Sequence, residues 1–257
     1  MKPYDRIAKR VQLRVARRLS SVSQIHDEIR SLILRGSFEP GTRLSQIGLA
    51  KQLRVGLTPL REALRMLQQE GLIVAEHNKR PRLLNFEPDT IDTNFAEVIL
   101  LASLAAAVSV PQLTDTDTSA IRNALKEMGT AARRGDLEGW MEADERFHSR
   151  SFVHVGASLN RLLKRAYDEH QFYVRFMRSR KNVPWSMVHD DHEMIFEACA
   201  ARDGDLAARL IARQIASNGI TLLAHVMPDR EPRMIRAAMH LIVQRPDLVF
   251  PKRAARA

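Results

Sequence analysis

The sequence predicts a mainly α protein built as two modules, a small basic one followed by an antiparallel helical bundle. Three observations carry this reading. Aromatic residues make up only 5% of the 257 residues and Gly and Pro stand at 11 each, beside abundant Leu, Ala, Ile and Met, a composition that favours helices over strands. The length accommodates two cores, each able to bury its own apolar faces. Residues 1–86 hold 17 Lys/Arg against 7 Asp/Glu, while residues 87–257 hold 23 of each, so the whole net charge of +10 lies in the first third. Charge confined to one module marks a surface that meets a polyanion, with nucleic acid the leading partner and an anionic membrane the alternative.

The single cysteine, Cys199, excludes a disulfide framework within the chain and reads as a small buried hydrophobe. The opening "MKPYDRIAKRVQLRVARR" is basic but lacks the apolar core of a secretory signal. The longest nearly apolar run, from Val98 to Val110, is shorter than the roughly 20 residues that span a bilayer. A cytoplasmic protein with no membrane partner is expected.

Residues 1–20 form a basic arm, which reads either as a phosphate-tracking or minor-groove element or as a solvated tail. "SVSQIHDEIRSLILRG" then supplies an amphipathic helix, and "EPGTRLS" a tight turn into a short strand. In "LAKQLRVGLTPLREALRMLQQEGLI" two short helical patterns meet across a break of at most four residues. Ile47, Ala50 and Leu53 give the first an inward face, and Leu60, Ala63, Leu64 and Leu67 give the second one. Thr58 as N-cap with Pro59 at the first helical position restarts the chain at a steep angle, which predicts a helix-turn-helix.

On the outward face of the second helix, Arg61, Arg65 and Gln68 fall at i, i+4 and i+7. Such a stripe fits a major groove, where Arg reads guanine bidentately and Gln reads adenine. After Gly71, "LIVAEHNKRPRLLNF" reads as a hairpin with Lys79, Arg80 and Arg82 near its tip, the wing of a winged helix. Residues 21–86 are therefore read as a winged helix-turn-helix for double-stranded DNA.

A linker is placed at residues 84–92, with Asp89 or Thr90 capping the next helix. Breaks at "VPQLTDTDT", "RRGDLEG", "SRKNVP", "ARDGD" and "MPDREP" divide the rest into six or seven helices. Residues 90–226 form a helical bundle, and residues 227–257 extend past it with one amphipathic helix. The apolar face of that helix, Met234, Ala238, Leu241 and Ile242, packs on its own bundle or clasps a second subunit.

Within the bundle "ADERFHSRSF" places Asp144 and His148 four apart on one helix face, and "HDDHEMIFEACAARDGD" adds His189 and His192. Alone, such a pair is a surface salt link, because a metal site needs ligands converging from several helices. No activated nucleophile or general base stands out beside these residues.

Two resemblances rest on these motifs. "IRSLILRGSFEPGTRLSQIGLAKQLRVGLTPLREALRMLQQEGLI" resembles the DNA-binding domain of the GntR family of bacterial transcription regulators. "DERFH", Asn160 and "HEMIFEACAARDGD" resemble the FCD-type effector-binding domain of its FadR-like branch. The first implies DNA contacts by Arg43, Arg54, Thr58 and Arg61, with Leu57 standing where members usually carry arginine and Pro81 replacing a wing glycine. The second implies that Asp144, His148 and His192 hold a divalent metal, zinc or nickel, with Gln214 in place of a fourth ligand histidine. Glutamine is a weaker, neutral donor, so His189 or water is an alternative fourth ligand, and a cavity that binds no metal is the alternative to the whole site. Ile99 stands where an effector-binding arginine is usual, with Arg175 as its substitute if it faces inward and Asn160 as a second effector residue.

Together these imply an effector-responsive transcription regulator that binds a palindromic operator as a homodimer, with a small carboxylate effector in the bundle. The alternative from another class is a metal-dependent enzyme carried to nucleic acid by its basic module. An architectural DNA binder with no effector is a third reading, which the His/Asp set counts against. If position 57 faces the bases, Leu57→Arg adds a bidentate donor and shifts selection from a randomised DNA pool toward guanine at one position per half-site. Unchanged selection would mean that position 57 does not face the bases.

Overall fold

The structure, a computed structural model, describes residues 19–35, 37–74, 81–85, 87–178 and 186–243. The N-terminal module has three helices, α1 (Val22–Leu34), α2 (Gln46–Leu53) and α3 (Leu57–Gln69), and a small antiparallel pair, β1 (Ile73–Val74) and β2 (Arg82–Leu83). Ser21 and Ser45 cap α1 and α2 by accepting from the Gln24 and Gly48 N–H groups. Ile25, Ile29 and Ile33 of α1 meet Leu60, Ala63, Leu64 and Leu67 of α3 in one buried core.

Two local expectations are corrected. Ile47 is 74% exposed, and the inward face of α2 is Leu49, Ala50 and Leu53. A three-residue step turns a helix by about 300°, so positions 47 and 53 stand roughly 120° apart and cannot both face one core. Likewise, Thr58 is not the N-cap: α3 begins at Leu57 with Gly56 as cap. Thr58 and Pro59 therefore both lie in the first turn, where Pro is tolerated because those N–H groups lack intrahelical partners.

Gly71, at φ 83, turns the chain from α3 into β1. Ile73 pairs with Leu83 and Val74 with Arg82, and Arg43 bridges Arg82 from the preceding turn. The base of the hairpin is thus present, while residues 75–80, which include Lys79 and Arg80, lie outside the described residues.

The second module contains α4 (Pro88–Ser109), α5 (Asp115–Arg134), α6 (Leu137–Ser151), α7 (Ala157–Arg178), α8 (Ser186–Ala200), α9 (Gly204–Val226) and α10 (Arg233–Val243). Glu87, not Asp89 or Thr90, is the cap residue of α4, and both lie inside its first turn. The stretch Asp89–Gln112 is apolar and long enough to cross a membrane, yet it is the central element of the bundle, packed against α7, α9 and α10. Its apolarity is that of a core helix, with Phe95, Val98, Ile99, Ala102, Ala105 and Ala106 all buried. A Thr114–Asp117 capping box opens α5, and Asp136 and Asp203 cap α6 and α9. Cys199 is buried, which pushes its thiol up to about 11 and keeps it inert.

Helix α10 docks on its own bundle through a face rotated from the one expected: Ala238 and Ile242 pack on the core as expected, joined by Ile235 and Met239. Ile235 and Ala238 are buried, whereas Met234 and Leu241 are exposed at 49% and 63%. The cause is a tertiary cap: both oxygens of the buried Asp92 on α4 accept from the Met234 and Ile235 N–H groups, at 2.9 and 3.0 Å. That carboxylate satisfies two orphan donors at the start of α10 and sets the rotation of the helix.

The close approach of α9 to the end of α4 depends on Gly204. A Cβ there would stand 2.9 Å from the Ala107 carbonyl oxygen and from the Pro111 ring. Neither group can swing aside, so Gly204→Ala is expected to destabilise by about 1–3 kcal/mol although Ala is the better helix former. Thermal denaturation checks this: an unchanged or higher Tm would show that the contact relaxes freely.

Candidate functional site

The candidate nucleic-acid surface is built first by α3. Its inward residues are all buried, which leaves Leu57, Thr58, Arg61, Arg65 and Gln68 along one exposed side. Arg43 and Arg54 are exposed nearby, Arg54 at the left-handed C-cap of α2. Arg61 donates to Gln46 Oε1 at 3.1 Å and Arg65 stands 3.7 Å from Glu62. Both are solvent-exposed contacts worth little, so these side chains are available to a phosphate or base edge.

The second site is buried in the bundle. Helix α6 contributes Asp144 and His148, α8 contributes His192 and α9 contributes Gln214, none more than 7% exposed. His192 Nε2 donates to Asp144 Oδ1 at 2.9 Å, and His148 Nε2 lies 3.7 Å from the same oxygen. Gln171 Nε2 on α7 donates to the other oxygen at 3.2 Å. The Gln214 amide lies against the His192 ring, 3.0 Å from Nε2.

Burial alone would raise the Asp144 carboxyl, but the His192 hydrogen bond and the Arg178 charge, with His148 and His192 adding to them when protonated, outweigh it and hold it well below the usual carboxylate range. Burial pushes His148 down to about 4 against the pull of Asp144. The pair at neutral pH is therefore a carboxylate beside a neutral imidazole, the protonation states a metal ligand needs.

The donor atoms of Asp144, His148 and His192 all lie within 4.8 Å of one another. Ligands at about 2.0–2.2 Å from a tetrahedral ion stand roughly 3.3–3.6 Å apart, so this triad fits a divalent cation with small adjustments. The enclosed space beside it is about 10 Å³, room for one small species and not for an organic ligand. His148 Nδ1 is buried without a partner among the described residues. The side chain of His189 lies outside the described residues.

Sequence reasoning missed the cation of this pocket. Arg178, 5% exposed, lines it with its guanidinium 4.2 Å from the centre of the Trp140 ring, and burial lowers its pKa to about 10. His170 and Tyr167 line it too, with burial pushing His170 down to about 3. The signal was present as positions 167, 170, 174 and 178, one face of α7 at helical spacing. Arg175, three residues earlier, faces elsewhere, and Ile99 is fully buried in the α4 core.

Arg175 and Asn160 line a larger cleft of about 580 Å³ between α1 of the first module and α6 and α7 of the second. His148 and Tyr167 line both spaces, so the cleft reaches the buried triad. Its volume suits a small ligand. Arg175 is held by Glu138, whose Oε2 accepts from one guanidinium nitrogen at 2.6 Å. Among the described residues two ion pairs cross the cleft, Arg30 of α1 with Asp168 of α7 and Arg35 with Glu138, and Arg30 also pairs within its own module with Glu70 at the end of α3.

Known proteins share both halves of this arrangement. Residues 21–82 match the gntR family of bacterial regulatory proteins, and residues 98–217 match the FCD domain. An HTH-type transcriptional regulator in the TAR-I ttuE-ttuC' intergenic region of Agrobacterium vitis is 34% identical over 131 residues, 49% of this chain and 76% of that protein. The HTH-type transcriptional regulator YdhC of Bacillus subtilis is 26% identical over 80% of this chain and 92% of its own length. Among solved structures, E. coli McbR/YncC superposes with a TM-score of 0.72 at 19% identity, covering 81% of this chain and 99% of that one, a likeness of fold. These relatives are transcription regulators by name. The chain, with a winged helix-turn-helix followed by an FCD domain, belongs to the GntR family of bacterial transcription regulators.

Proposed function

We propose that this DNA-binding regulator acts as a homodimer on a palindromic operator, and that a small organic acid in the cleft between its modules controls its affinity for DNA. The observation that carries the reading is the exposed stripe of α3, Leu57 to Gln68, on a module tied by ion pairs to a bundle with a ligand-sized cleft. Arg43, Arg54, Thr58, Arg61, Arg65 and Gln68 are the DNA contacts in this reading, joined by Lys79 and Arg80 of the wing. Dimerisation is supported by α4, where Leu100, Leu104 and Val108 recur at i, i+4 and i+8 and are exposed at 39%, 53% and 43%. Such an exposed apolar ridge favours burial against a second copy.

Arg175 and Asn160 serve the organic acid in this reading. Asp144, His148 and His192 would hold a divalent cation, with Gln214 as a weak neutral donor once its amide is turned to present Oε1. When bound, that cation supplies fixed positive charge at the inner end of the cleft. The residues' own part is to keep Asp144 ionised, His148 neutral and water excluded.

Binding to a palindromic duplex should weaken steeply with salt, with a log–log slope of about −0.9 per neutralised phosphate. Arg61→Ala should cost about 1–3 kcal/mol and relax selection at one position per half-site, measured by fluorescence anisotropy on a selected operator and its single-base variants. Full discrimination by that variant would remove Arg61 from the base-reading set.

Metal content after dialysis and a zinc or nickel titration test the triad. Gln214→His should tighten binding, because imidazole is the better donor for these ions, and His192→Ala should nearly abolish it. Equal binding by the parent and both variants would place the metal elsewhere. No binding even by Gln214→His would mean a cavity that works without metal.

A further inference from the structure

The cleft between the modules holds a carboxylate of the protein's own. Arg175 is only 9% exposed, and its guanidinium faces Glu138 in fork geometry, at 2.6 and 3.4 Å from the two carboxylate oxygens. Arg35, at the C-cap of α1 in the DNA-binding module, reaches the same carboxylate, with Nε 3.3 Å from Oε1. One carboxylate of α6 thus bridges an arginine of each module. The two ends differ in freedom: the Arg175 side chain is 11% exposed and the Glu138 side chain 39%. A buried planar guanidinium is a preformed seat for any carboxylate, whereas a half-exposed glutamate can turn out to water at little cost.

We propose that the seat on Arg175 is an exchange site, where the carboxylate of a small monocarboxylic acid displaces Glu138 and thereby cuts the ion bridge from α7 to α1. The proposal rests on the reading above that an organic acid occupies this cleft, and it adds how the acid is recognised and how it reaches the DNA-binding module. The cleft walls carry Asp27, Glu142, Glu145 and Asp168 besides Glu138, against Arg30, Arg35, Lys164 and Arg175, and this near balance leaves the seat on Arg175 suited to a single carboxylate on a small body with donor groups. The route onward is short. Helix α1 grips the end of the recognition helix, with His26 Nε2 2.7 Å from Glu70 Oε1 and Arg30 Nε 3.3 Å from Glu70 Oε2. Freeing Arg35 therefore loosens the helix on which α3 rests, leaving Arg30–Asp168 as the remaining ion-pair tie across the cleft among the described residues.

The test uses the full chain as parent, Glu138→Gln, Arg35→Gln, Arg175→Gln and Arg175→Lys, each checked for native helicity. Without ligand, Glu138→Gln and Arg35→Gln should each speed amide hydrogen exchange across α1 by about 3- to 10-fold, and the double variant no further, because both cut one bridge. In calorimetric titrations with acetate, L-alanine, succinate and citrate, a monocarboxylate should bind Glu138→Gln about tenfold more tightly than the parent, since the internal competitor is gone. Arg175→Gln should lose that binding, and Arg175→Lys, which keeps the charge but not the fork, should weaken it. Unchanged α1 exchange in Glu138→Gln would overturn the bridge. Equal affinity in parent, Glu138→Gln and Arg175→Gln would overturn the exchange while leaving an acid-responsive regulator in place. No binding of any acid by any form would overturn the exchange together with the organic-acid reading.

Discussion

The constraint that organises the bundle is the burial of one charge. Asp144 is 7% exposed in the interior, where an unpaired carboxylate would cost several kcal/mol. Its compensation comes from three different helices: His148 on its own α6, Gln171 and Arg178 on α7, and His192 on α8. The relative placement of those helices satisfies the carboxylate, and the aromatic rings of Trp140 and Phe147 pack edge-on against His192 to hold it. Arg178 gains from the same arrangement, because Asp144 offsets its charge and Trp140 covers its face. A core that must meet this demand is less plastic than an all-apolar one.

Helix α1 belongs to both modules in a physical sense. Its inner face, Ile25, Ile29 and Ile33, is core to the winged helix, while His26, Arg30 and Arg35 carry its electrostatic ties. Apolar contact holds α1 against α3 with little dependence on its surroundings. The Arg35–Glu138 pair is exposed and weak, so it is the contact that a ligand in the cleft could change, whereas Arg30–Asp168 is mostly buried. A strong internal joint and a weak external one give the module a way to move as a body.

The helix-turn-helix was legible in the residues because its signals are local. The periodicity of Leu60, Ala63, Leu64 and Leu67 marks one buried face, which leaves Arg61, Arg65 and Gln68 exposed whatever else the chain does. The helix breaks at Gly135 and before Asp203 were equally plain, since a left-handed residue and an N-cap act within one turn. Periodicity failed where the arc was too coarse, as with Ile47, and where a distant group set the rotation, as with Asp92 and α10.

The buried site divides along the same line. Asp144 and His148 could be paired from their spacing, since four residues on a helix bring two side chains to one face. His192 and Gln214 could be set beside them only through likeness to a family, because nothing local relates α6 to α8 and α9. That Arg178 rather than Arg175 turns toward the carboxylate, and that Glu138 already occupies Arg175, follow from how α7 is rotated against its neighbours. A sequence pattern specifies the faces of each helix, but the meeting of two faces is chosen by the packing and charge compensation of the whole assembly.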